Sequence, residues 1–133
     1  MSSKRKMERV SHTVPIKAIS VNKSYLGRKV KSKEYRVYEE ELLTLLPDTI
    51  KVAAKGSLQL LILFGHSNPN FDWDNGIKPF QDILQKKYGF NDKRIQYGVV
   101  GKVLVKKGEE FIMFRLEKLG VNVEEVLYDL YNA

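Results

Sequence analysis

Two aspartates separated by one tryptophan, Asp72-Trp73-Asp74, are followed by Asn75 and Gly76, and by Lys78 four residues after the second aspartate. On an extended backbone, positions i and i+2 point to the same side. This spacing therefore predicts two carboxylates presented to one spot, with Lys78 a turn further on. Like charges held close repel unless a cation sits between them or one takes a proton. A hard divalent cation, Mg²⁺ or Mn²⁺, is the natural occupant of such a pair. A plainer reading stands beside this one. Asp74 caps the helix that follows, Asp72 is solvated, and the motif is one of the short patterns that recur by accident. A calcium EF-hand loop is rejected by spacing. Counting from Asn70 puts Asn75 where the glycine belongs and Gln81 where the bidentate glutamate belongs, and counting from Asp72 puts Ile77 and Ile83 there. A glycosidase carboxylate pair finds little support in a basic chain with few clustered aromatics.

The elements that must position these residues follow from periodicity. Leu58 to Phe64 is the most apolar run and predicts a central strand buried on both faces, with His66 in the loop beyond it. Ile77, Phe80, Ile83 and Leu84 recur at helical spacing from Ile77 to about Tyr88, and Pro79, which fits only in a first turn, keeps the helix from beginning much before Asn75 or Gly76. Lys78 and Asp82, four apart, are placed to pair on its surface. Gly89 ends the helix. Upstream, Thr13 to Ile19 predicts an edge strand because Pro15 cannot donate to a ladder. Val21 to Arg28 predicts a loop rich in phosphate-binding groups, with Tyr25 either stacking on a base or anchoring the loop in the core. Ser32 caps a helix carrying Tyr35, Tyr38, Leu42, Leu45 and Leu46, which must stop before Pro47. A short strand is expected at 50–52. Downstream, Ile95 to Val105 alternates as a strand, Lys106 to Glu109 is a turn, and 110–116 is the return strand of a hairpin. Val123 to Tyr131 is a short terminal helix. The order predicts an α+β single domain: a mixed β-sheet with helices packed on it, a C-terminal β-hairpin and a short terminal helix.

A chain of 133 residues suffices for one domain with a real core and is too short to expect two. The expected division is a flexible basic arm over 1–12 and one domain over 13–133. With no cysteine there is neither a disulfide framework nor a thiolate metal site. No apolar run approaches the ~18 residues of a membrane span, and residues 1–12 lack the apolar core of a secretory signal. These absences point to the cytoplasm. The net charge is +7, and the excess is concentrated in the first thirty-six residues. Asn22, Lys23, Arg28, Lys29, Lys31, Lys33 and Arg36 are the candidate DNA-binding residues. Such a block suits a polyanion, although a face kept positive for solubility has the same composition. No basic amphipathic helix with bulky apolar residues lies within it, which favours nucleic acid over membrane.

Asp72-Trp73-Asp74-Asn75 with Lys78, Asp82 within the following helix, and Asn91-Asp92 after Gly89 resemble the RusA family, the Holliday-junction resolvases of bacteria and phages. The segments 21–25 and 31–35 resemble that family's opening segment, so the resemblance covers about residues 13–117. The sequence departs from the family's usual Pro-Asp-x-Asp-Asn run, since Asn70 and Phe71 stand between Pro69 and Asp72. The resemblance implies a homodimeric, Mg²⁺-dependent endodeoxyribonuclease, with Mn²⁺ as a substitute, that cuts four-way DNA junctions in recombination and repair. It implies that Asp72, Asp74 and Asp92 hold the metal and that Lys78 assists catalysis. In that setting the cation acts as Lewis acid and activates water, and Lys78 neutralises charge on phosphate oxygens. The opposing expectation is a non-catalytic nucleic-acid-binding module in which the basic first third carries the function.

Overall fold

The computed structural model describes residues 11–26 and 30–133. The elements run β1 (His12–Val14), α1 (Val21–Ser24), α2 (Lys33–Leu45), β2 (Leu58–His66), α3 (Ile77–Tyr88), a 3₁₀ turn (Asp92–Arg94), β3 (Ile95–Leu104), β4 (Phe111–Lys118) and α4 (Val123–Tyr131). Arg28, Lys29 and the first ten residues of the expected basic arm lie outside the described residues. Among the described residues no helix is long and apolar enough to cross a membrane.

The helices start and stop where the sequence chemistry requires. The Ser32 hydroxyl oxygen accepts the Tyr35 N–H at 3.0 Å and so satisfies a donor that the first turn of α2 would leave free. Tyr35, Tyr38 and Leu42 then recur on one face and are buried. In α3, Pro79 sits in the first turn, where its missing N–H costs nothing. Gly89 closes the helix at φ 67°, a left-handed conformation that a side chain would strain.

The four strands form one mixed sheet in the order β1-β4-β2-β3. β2 is parallel to β3 and antiparallel to β4, and β1 is antiparallel to β4. The α+β class and the mixed sheet with helices packed on it are as the sequence predicts, but the C-terminal hairpin is not. The turn at Lys106–Glu109 does reverse the chain, with Gly108 at φ 94°. β3 and β4 nevertheless lie on opposite sides of β2. Burial decides this placement: β2 is the most apolar strand and takes the centre of the sheet, while β3, carrying Gly98 and Gly101, is left at an edge.

Leu58, Leu60, Ile62 and Phe64 point to one face of the sheet, where α2 and α3 pack. Phe80 of α3 meets Phe114 of β4 edge-on with ring centroids 5.2 Å apart, and Phe64 meets Phe80 at 6.4 Å. Each of these rings is 0 or 1% exposed. Burial at that level stabilises by about 1.5–3 kcal/mol per large apolar side chain.

Smaller expectations are also corrected. β1 covers only His12–Val14, and Pro15 marks its end. The loop expected from Val21 contains the helical turn α1, because the Ser24 hydroxyl bonds back to the Ser20 carbonyl at 2.8 Å. Residues 50–52 form no strand.

Candidate functional site

The connection from β2 to α3 carries the acidic motif and is pinned from beneath. His66, expected in a loop, is the last residue of β2 and is buried. Its Nδ1 accepts the Asn68 N–H at 3.1 Å, and its Nε2 lies 3.2 Å from the Ala18 carbonyl, which fixes Nε2 as the protonated nitrogen. The ring stacks on Phe71 at 3.9 Å between centroids, with only 3° between planes. Phe71 in turn meets Phe64 edge-on at 5.7 Å. Gly76 must be glycine here, since a Cβ would stand 2.9 Å from both the Phe64 and Phe71 rings. From the edge strand β3, the Lys102 ammonium donates to the Phe71 carbonyl at 2.6 Å. The Val21 N–H donates to the Asn75 carbonyl at 2.9 Å and ties α1 to the same loop.

With Phe71 anchored inward, Asp72, Trp73 and Asp74 stand outward and exposed. Their backbone is not extended. The Asn75 N–H donates to the Asp72 carbonyl at 3.0 Å, and the Ile77 N–H to the Asp74 carbonyl at 3.3 Å, so the motif is a turn running into α3. The strand rule that aligns i and i+2 does not apply to it. The plainer expectation holds for Asp72, which is exposed, and fails for Asp74: the N-cap of α3 is Gly76, with no side-chain cap. Neither carboxylate has an ion-pair partner among the described residues.

A second acidic group lies along α3. Lys78 pairs with Asp82 at 2.9 Å. Gln81 donates to the Asp92 carboxylate at 3.0 Å, and Gln85 accepts the Asp92 N–H at 2.9 Å. Asp92 thus returns to α3 across one helix length. The hydrogen bond with Asp82 raises the Lys78 pKa, partly opposed by desolvation, and the charges of Asp82 and Asp92 push in the same direction. Lys78 stays charged throughout the neutral range.

The carboxylates are hard oxygen donors of the kind Mg²⁺ takes. Among the described residues no group of three or more carboxylate or imidazole side chains is close enough to hold a metal ion. Asp72 and Asp74 share the turn, while Asp92 is held by Gln81 and Gln85.

The basic residues divide into two groups. Asn22, Lys23, Lys33 and Arg36 are exposed. Lys31 is engaged: its ammonium lies 3.2 Å from Glu39 and 5.3 Å from the centroid of the Tyr35 ring. Tyr25 anchors rather than projects, with its ring 5.7 Å from that of Tyr35. Lys17, Ser20, Lys23, Asn68 and Asn75 border a cleft of about 200 Å³ between α1 and the acidic turn. Four contributors were missed from the sequence: His66 as an anchor, Gln81, Gln85 and Lys102. Gln81 and Gln85 share the helical face of Lys78 and Asp82, so the period 3.6 carried a signal for them. No spacing linked Lys102 to Phe71.

No protein-family model matches this chain, and no curated protein sequence matches it.

Proposed function

We propose that this chain is a structure-selective endodeoxyribonuclease of the RusA kind, hydrolysing phosphodiesters at four-way DNA junctions with Mg²⁺ or Mn²⁺ as cofactor. The observation that carries the reading is the rigidly anchored acidic turn. Phe71, Gly76, His66 and Lys102 hold the backbone so that Asp72 and Asp74 stand in solvent with no ion-pair partner among the described residues. Two unpaired carboxylates on a basic chain repel the polyanion that the rest of its charge attracts, a cost a simple binding surface has no reason to carry. Lys23, Lys33 and Arg36 would hold phosphates on the basic side. Lys78, kept protonated by Asp82, would offer a fixed positive charge to a phosphate oxygen.

Two observations favour a second reading, a non-catalytic DNA-binding module. Asp72, Asp74 and Asp92 are not gathered into a cage, and Lys78 already has a partner. A cleavage assay separates the two readings. A labelled four-way junction and a linear duplex are incubated with the protein in Mg²⁺, in Mn²⁺ and in EDTA. The nuclease reading requires symmetric nicking of the junction with either metal and none with EDTA. Junction binding without cleavage in either metal leaves the binding module.

A further inference from the structure

α4 packs only lightly: Val126 is half-buried and its other residues are exposed. None of its residues is buried, and among the described residues the closest element contacts are strand with strand and α1, α2 and α3 with one another, with α4 in neither set. Nine residues lie below the roughly 12–15 at which an isolated helix becomes even marginal in water. Its apolar residues nevertheless form a stripe. Val123, Leu127, Leu130 and Tyr131 recur at helical spacing, and Leu127, Leu130 and Tyr131 are 66, 73 and 89% exposed.

The sheet carries a matching deficit. α2 and α3 cover only the face of Leu60, Ile62 and Phe64. On the other face the register sets Leu61 between Val99 and Arg115, and Leu63 between Gly101 and Met113. Val99 and Met113 are 46% and 38% exposed there. Arg115 lies in this surface with its guanidinium 3.2 Å from Glu117, and its Nε is buried with no acceptor among the described residues. Among the described residues the face therefore lacks apolar cover. α4 offers such cover, and Glu124, Glu125 and Asp129 flank its stripe with no Lys or Arg among them.

We propose that α4 is an exchange arm: in a two-fold dimer, the α4 of each copy lies across the open sheet face of the other. A two-fold axis makes the contact reciprocal, so each copy is donor and receptor and the arrangement closes at two. The acidic helix excludes DNA and anionic lipid as the partner, because both repel it. A second copy suits it, being a basic chain of net charge +7 that presents the complementary face. The large exposed side chains of α4 each offer on the order of 100 Å² or more. Exchanged twice, with the sheet surface they cover, they reach the scale of roughly 1,600 Å² typical of stable complexes.

The test is independent of the nuclease reading, because it measures mass and contact rather than activity. The chain contains no cysteine, so Leu130→Cys and Met113→Cys can each be made singly and mixed under oxidising conditions. The exchange arm requires a disulfide-linked species of twice the chain mass that forms from the mixture much faster than from either variant alone. A Leu130→Cys/Met113→Cys double variant that closes on itself as a monomer would mean that α4 covers its own sheet, and would overturn the proposal. Light scattering across micromolar concentrations should give a dimer for the unmodified chain. Leu127→Asp/Leu130→Asp should raise the dimer dissociation constant at least tenfold while the circular dichroism of the sheet is retained. A monomeric unmodified chain, or a dimer indifferent to the two aspartates, would also overturn it.

Discussion

Lys78 and Asp82 form an ion pair of 2.9 Å on the surface of α3, and this pair makes Lys78 testable. The Lys78 side chain is 58% exposed, and an exposed i,i+4 pair is worth only about 0.3–0.5 kcal/mol. Lys78→Ala should leave the melting temperature within a degree or two of the unmodified protein. Under the nuclease reading, the same change should slow single-turnover junction cleavage about a hundredfold or more. Lys78→Arg should rescue poorly, since a planar fork does not replace a compact ammonium. A cleavage rate within a few-fold of the unmodified protein for Lys78→Ala would reduce Lys78 to a helix-surface residue.

Lys102 reaches from the edge strand to the carbonyl immediately before Asp72. Its loss should act on the turn and leave the core alone. Lys102→Met keeps the stem that covers the sheet edge and deletes the donor. A charge-assisted bond at a partly exposed site contributes on the order of 1 kcal/mol. Amide hydrogen exchange at Trp73 to Gly76 should accelerate about fivefold, while protection in β2 stays unchanged. Equal acceleration in β2 would mean that Lys102 supports the sheet as a whole and does not position the turn.

The DNA-binding expectation also divides by residue. Lys23 and Lys33 are exposed, whereas Lys31 is spent on Glu39 and Tyr35. Each true phosphate contact removed lowers the slope of log affinity against log salt by about 1. Lys23→Ala and Lys33→Ala should each show that decrement in a junction-binding titration, and Lys31→Ala should show less. A larger loss for Lys31→Ala than for the other two would mean that its internal pairings break on binding.

Much of this architecture was legible because it rests on local rules. Ser32 before Tyr35, Pro79 in a first turn and Gly89 after Tyr88 bracket the two long helices, and the apolar run of Leu58 to Phe64, interrupted by Gln59 alone, marks the central strand. Pairing was not legible. β3 and β4 carry a good turn between them, and nothing in their own residues says that β2 will displace the hairpin by burying more apolar surface. The candidate site was legible in its residues and illegible in its geometry. Alternation of Asp72 and Asp74 implies a shared direction only on a strand. The buried Phe71 and the close-packed Gly76 curl that segment into a turn instead. The one-helix spacing suggested that Asp92 returns beside Asp72 and Asp74; it lies against α3, where Gln81 donates to its carboxylate and Gln85 accepts its backbone N–H.

The same anchoring makes the acidic turn sensitive to pH through His66. Burial is the largest influence on this imidazole and lowers its pKa below the ordinary value. The Lys17 charge adds to the lowering, while the hydrogen bond to Ala18 and the charge of Glu110 oppose it. The neutral ring is the form the structure uses, because Nδ1 must accept the Asn68 N–H. The unfolded chain therefore takes up the proton first, at about pH 6.5. Stability from this residue is complete above that pH and is lost as pH falls through the lower folded-state value. Thermal unfolding followed from pH 7.5 to 5.5 should show a falling midpoint. His66→Gln should be less stable than the unmodified protein at pH 7.5 by about 1–3 kcal/mol, since a buried pair of hydrogen bonds is disturbed. The difference should narrow as pH falls, because the variant has no proton to take up at this position. The chain has only 2 histidines, and the comparison isolates His66 because both proteins retain His12. A parallel pair of stability curves for His66→Gln and the unmodified protein would show that His66 remains neutral in both states over this range, and that the turn is held without regard to pH.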